Sequence, residues 1–69
     1  MHTINRNQYT ELNHILWDSK RAFITPEDAF KLYERRWPYV DQRKLVDKEK
    51  QLIKQLIEQI GNGLFMPVL

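Results

Sequence analysis

The sequence predicts a mainly α fold, a small three-helix bundle with a short extended C-terminal segment. Three observations carry that expectation. Apolar residues recur at helical spacing in three stretches. Capping residues and prolines punctuate those stretches. Residues 64–69, LFMPVL, contain no charge and include a proline that a helix interior would not tolerate. At 69 residues the chain makes one domain, 1–69.

The first stretch is NRNQYTELNHILWDS, residues 5–19. Tyr9, Leu12, Ile15 and Leu16 cluster on one side of a helix, and Trp17 widens the apolar arc. Its start is open, because Asn5 and Asn7 are both capping residues. The KRAFIT segment that follows is rich in β-favouring residues and reads as extended.

The second stretch is ITPEDAFKLYERRWPYV. Thr25 is its N-cap and Pro26 its first helical residue, where a missing N–H costs nothing. Glu27 and Asp28 complement the positive end of the helix dipole. Ala29, Leu32, Tyr33, Arg36 and Trp37 share a face, with Phe30 at its edge. Pro38 disfavours helical geometry at Trp37, so the helix ends about there. In the connection YVDQRKLV, Asp41 can cap a short turn of helix, with Leu45 and Val46 pointing inward.

The third stretch, VDKEKQLIKQLIEQIG, is the plainest. Asp47 is the expected N-cap. Leu52, Ile53, Leu56, Ile57 and Ile60 span an arc of roughly 140° at 100° per residue. Gly61 stands where a left-handed residue commonly ends a helix. In the tail, Pro67 has no N–H and restricts the segment to an edge strand or a strand end. RAFI, residues 21–24, is its one obvious internal partner.

Composition narrows the function. No apolar run approaches the ~18 residues of a membrane span. No signal-peptide core precedes the first stretch, and no Cys is present, so a cytoplasmic setting is expected. His2 and His14 stand twelve apart with no Cys partner, which predicts no metal site. Glu27-Asp28 reads as helix-terminus electrostatics, and GNG follows a helix where a phosphate loop would precede one. The expectation is a non-enzyme, with no catalytic residue, no cofactor and no small-molecule substrate.

Two binding readings remain. Residues 35–54 hold seven basic residues against three acidic, while the rest of the chain holds four against six. Arg35, Arg36, Arg43, Lys44, Lys50 and Lys54 are therefore candidate nucleic-acid contacts. The third helix carries no cluster at its N-terminal end that would read base edges. The favoured reading is a small regulatory protein, an antitoxin- or inhibitor-like modulator that binds a partner protein or a second copy of itself. Its candidate contacts are Leu64, Phe65, Met66, Val68 and Leu69. Valine, isoleucine and leucine recur at intervals of seven (Val46, Ile53, Ile60; Leu45, Leu52), a seam that first serves the protein's own core. Burial of Phe65 and Val68 would make the tail part of that core. Their exposure would make it a contact surface.

Overall fold

A computed structural model describes residues 3–68, and the chain there is mainly helical. Strand β1 (Ile4–Asn5) leads through a 3-10 turn (Arg6–Gln8) into helix α1 (Thr10–Ile15). Strand β2 (Phe23–Ile24) precedes helix α2 (Pro26–Arg35). Two further 3-10 turns (Trp37–Tyr39 and Gln42–Lys44) lead to helix α3 (Asp47–Gln59). The radius of gyration is 10.9 Å, close to the ~11 Å expected of a compact unit of this length.

The core is one cluster. Leu12 and Ile15 of α1, Ala29 and Tyr33 of α2, and Leu56 of α3 are fully or almost fully buried. Ile4, Ile24, Val40, Leu52 and Ile53 close it. Each buried aliphatic side chain stabilises the fold by roughly 1.5–3 kcal/mol.

The second stretch behaves as its sequence requires. Thr25 Oγ1 accepts the Asp28 N–H at 3.1 Å, with Pro26 in the first turn, and the helix stops at Arg35. Asp41 also caps as expected, its carboxylate accepting the Arg43 N–H at 3.1 Å. The first stretch is shorter than its apolar pattern. Asn5 caps only the 3-10 turn, Tyr9 adopts extended geometry, and α1 proper covers six residues. Val46, not Asp47, is the N-cap of α3, and it offers no side-chain acceptor. Val46 also points outward and is more than half exposed, whereas Leu45 is half-buried.

The pairing of RAFI with the tail is overturned. Phe23–Ile24 pairs antiparallel with Ile4–Asn5, in the register Ile4↔Ile24 and Asn5↔Phe23. Arg6 N–H donates to the Ala22 carbonyl and extends that ladder. The tail instead lies against α2, and Pro38 is the reason. In a helix the Glu34 carbonyl would accept the N–H four residues on, at position 38, where proline has none. Val68 N–H fills the vacancy at 2.8 Å, and Met66 N–H donates to Glu34 Oε2 at 2.8 Å. Phe65 then inserts beside Trp37, rings in edge contact at 5.1 Å between centroids, and beside Phe30 at 6.1 Å.

Gly61 also differs from expectation. The left-handed residues are Asn62 (φ 52°) and Gly63 (φ 85°). Gly61 is needed for close approach instead: a Cβ there would meet the Leu64 carbonyl oxygen, and Phe30 Cζ at 2.6 Å.

Candidate functional sites

A buried carboxylate joins the three helices. Glu49, in the first turn of α3, exposes none of its surface. Its Oε1 accepts the Glu11 N–H at 3.1 Å, and its Oε2 accepts the Leu12 N–H at 2.9 Å and the Tyr33 hydroxyl at 2.7 Å. Glu11 and Leu12 stand in the first turn of α1, whose own N-cap, Tyr9, provides no side-chain acceptor. Glu49 therefore caps a neighbouring helix, and the positive end of that helix favours its charge. Glu11, itself buried, accepts the Asp41 N–H at 2.8 Å and ties down the α2–α3 connection. Every buried side-chain polar atom among the described residues is partnered. No surface opens onto the Glu49 carboxylate, so its chemistry is cohesion.

Burial and the Glu49 carboxylate push the Tyr33 hydroxyl well above the ordinary tyrosine range. In the unfolded chain Tyr33 ionises near pH ~10, while in the fold it keeps its proton. A raised folded value contributes stability that is complete below pH ~10 and is lost as pH rises beyond it. Wild-type stability is thus expected to fall above pH ~10 with a slope approaching 1.4 kcal/mol per pH unit from this group. A denaturant titration series on wild type and Tyr33→Phe checks this. Identical slopes would show that the Tyr33–Glu49 contact does not hold the proton.

Two arginines gather the other end of α1. The Arg6 guanidinium donates to the carbonyls of Asn13 and Leu16 and to that of Ser19. Arg36 donates to the Ile15 carbonyl at 2.8 Å and forms a two-pronged pair with Asp18, at 2.9 and 2.7 Å. The cations sit on the helix end where unsatisfied carbonyls collect. The Arg36 hydrogen bonds hold the Asp18 carboxyl below the usual carboxylate range. Arg36 also lies 4.2 Å over the Trp17 ring, and Trp17 meets Tyr39 edge-on at 5.3 Å. Trp17 and Tyr39 remain 57% and 62% exposed.

A cleft of about 250 Å³ opens beside this group, between α2 and the α1–β2 connection. Leu16, Ile24 and Leu32 line it with apolar surface. Arg21, Lys31, Arg35 and Arg36 supply four positive charges, and Asp18 and Asp28 two negative ones. Asp28, Lys31, Leu32 and Arg35 stand at positions i, i+3, i+4 and i+7 of α2, which puts them on one face. Among the described residues, Arg36 is the one cleft cation held in a salt bridge.

Of the sequence-predicted basic contacts, the fold brings Arg35 and Arg36 into this cleft. Arg43 and Lys44 belong to the exposed 3-10 turn, and Lys50 and Lys54 to the exposed side of α3. Arg21 and Lys31, outside the 35–54 stretch, are the cleft cations that sequence reasoning missed. Lys31 was findable from its spacing to Arg35, whereas Arg21 reaches the cleft only through the fold.

The apolar tail divides by alternation. Phe65 is half-buried, while Leu64, Met66 and Val68 are 66%, 74% and 55% exposed. Leu69 and His2 lie outside the described residues. His14 is exposed, and among the described residues no three His, Cys, Asp or Glu side chains are grouped to hold a metal. No helix among them is long and apolar enough to cross a membrane. Comparison with protein-family models, with curated proteins and with solved structures finds no match for this chain.

Proposed function

We propose that this is a small non-enzymatic regulatory protein of the cytoplasm that acts by binding another protein. We read its scaffold as a three-helix bundle with the extended tail laid along α2. The observation that carries the proposal is the outward row of Leu64, Met66 and Val68 on a segment anchored at two points to Glu34. Single exposed apolar residues are ordinary, but a contiguous row on an ordered backbone presents a preformed contact at little ordering cost. Pro67 removes a donor from the outer edge, so side-chain contact serves the tail better than strand addition.

The test replaces Leu64, Met66 and Val68 together by Ser and leaves Phe65 in place. The triple variant is expected to keep its fold, because none of the three is buried. A photo-crosslinking residue at position 66 is expected to give a discrete adduct in the native host, and one at Lys54 none. The triple variant should lose about 90% of a co-purifying partner, a loss of ~1.4 kcal/mol or more in binding. Sedimentation of the pure protein separates a second copy from a different partner. Unchanged capture by the triple variant, or equal crosslinking from Lys54, would overturn the reading.

A further inference from the structure

We propose a second binding site, independent of the tail, at the corner formed by Trp17, Tyr39 and the α2 cleft, and we assign it to single-stranded nucleic acid. The two kinds of group that such a ligand requires stand side by side. Phosphates need cations with free valence, and bases need exposed aromatic rings. The cleft holds Arg21, Lys31 and Arg35 outside any salt bridge among the described residues. The rings are Trp17 and Tyr39, in mutual contact and both more than half exposed.

Arg36 links the two halves. It lines the cleft and also covers the Trp17 ring at 4.2 Å, while its pairing with Asp18 fixes it in place. Asp18 is thereby neutralised, and Asp28 is the one cleft carboxylate left to oppose an anion. Counting Arg21, Lys31 and Arg35 against Asp28, the cleft retains a positive balance.

Size separates the roles further. At about 250 Å³ the cleft is below the ~300–1,000 Å³ of sites that enclose a whole ligand. It suits a phosphate with part of its sugar, and the base must then lie outside, where the aromatic pair is. Bases reach such a pair only when unstacked, which selects single strands over duplex. The cations line the cleft and the rings lie outside it, so recognition is by backbone charge and ring stacking.

The test uses the full chain and labelled oligothymidylate and oligouridylate of ~12 nucleotides, followed by anisotropy at low and moderate salt. The two oligomers differ in the sugar and in the base methyl, and affinities within ~3-fold of each other are expected, because phosphate charge and ring stacking are common to both. Inorganic phosphate and polyglutamate are the competitors that carry charge without bases. Trp17→Ala and, separately, Tyr39→Ala are each expected to weaken binding about tenfold. Tyr39→Ala keeps the aromatic arm of the test intact if Trp17→Ala melts. The triple change Arg21→Ala, Lys31→Ala, Arg35→Ala is expected to weaken binding at least ~10-fold and to lower the slope of log K against log salt by about 2. A charge-matched triple elsewhere, Lys44→Ala, Lys50→Ala, Lys54→Ala, is expected to change affinity less than ~3-fold. Equal losses from both triples would show diffuse attraction and overturn the site. So would wild-type affinity in both ring variants, polyglutamate binding as tightly as the oligonucleotides, or no binding at low salt. None of these outcomes bears on the tail, whose variant is tested separately.

Discussion

Glu49→Ala is expected to leave most of the protein unfolded at ambient temperature. The substitution removes one side chain but strands three donors, the N–H groups of Glu11 and Leu12 and the hydroxyl of Tyr33. Bonds to a charged acceptor contribute about 1.5–3 kcal/mol each, and a buried donor left without a partner costs a similar amount. A total loss of about 4 kcal/mol or more is expected, set against the ~3–10 kcal/mol that a chain of this length possesses. Glu49→Gln should do less harm, about 2 kcal/mol, because its carbonyl oxygen still serves one side while its amide faces a backbone N–H. Tyr33→Phe should cost about 1.5 kcal/mol, leaving the helix-capping bonds in place. Thermal melts read by circular dichroism check the order, at ~4–8 °C per kcal/mol for a domain of this size. A melting temperature for Glu49→Ala within a few degrees of wild type would show that water or a rearranged neighbour replaces the carboxylate.

Gly61→Ala carries the second large expectation. A Cβ at this position meets backbone oxygens of Leu64 and Ile57 as well as the Phe30 ring, so the added atom cannot be absorbed by a flexible side chain. The Asn62–Gly63 turn is the route by which the tail leaves α3, and shifting it pulls Phe65 from Trp37 and Phe30. A loss of about 2–3 kcal/mol is expected, the range for overpacking combined with a displaced aromatic. In a Trp17→Phe background Trp37 is the sole indole, and its emission should shift to the red as Phe65 departs. Asn62→Gly is the control. It relieves a left-handed non-glycine residue and should be neutral or slightly stabilising. If Gly61→Ala melts like wild type with unchanged Trp37 emission, the tail does not depend on that close approach.

Several features of the fold were legible because their causes are local. Thr25, Pro26 and Asp28 specify the start of α2 within four residues, and Pro38 specifies its end. The apolar arc of Leu52, Ile53 and Leu56 specifies which side of α3 is buried. Glu49 was legible too, though not read. At 100° per residue it falls inside that same apolar arc, and a carboxylate there has to be partnered. Arg36, placed on the apolar face of the second stretch, is the parallel case, a charge that turns inward to meet carbonyls and a carboxylate.

The tail shows where local reasoning stops. LFMPVL and RAFI both look like strands in need of a partner, and pattern alone matches them to each other. In the fold the N-terminal Ile4–Asn5 takes RAFI, and the carbonyl orphaned by Pro38 takes Val68. The tail alternates residue by residue, Phe65 packing against the core and Leu64, Met66 and Val68 staying exposed.

The sequence by itself therefore determined the mainly helical class, the bounds of α2, the buried face of α3 and the uneven placement of charge. Periodicity, capping and proline act over a few residues and need no distant partner. The tertiary structure alone decided which acceptor caps α1, which strand RAFI joins, where the tail lies, and that Arg21 joins Lys31 and Arg35 in one cleft. Each of those is a choice among chemically equivalent donors and acceptors far apart in the chain, and only the packing of the core selects between them.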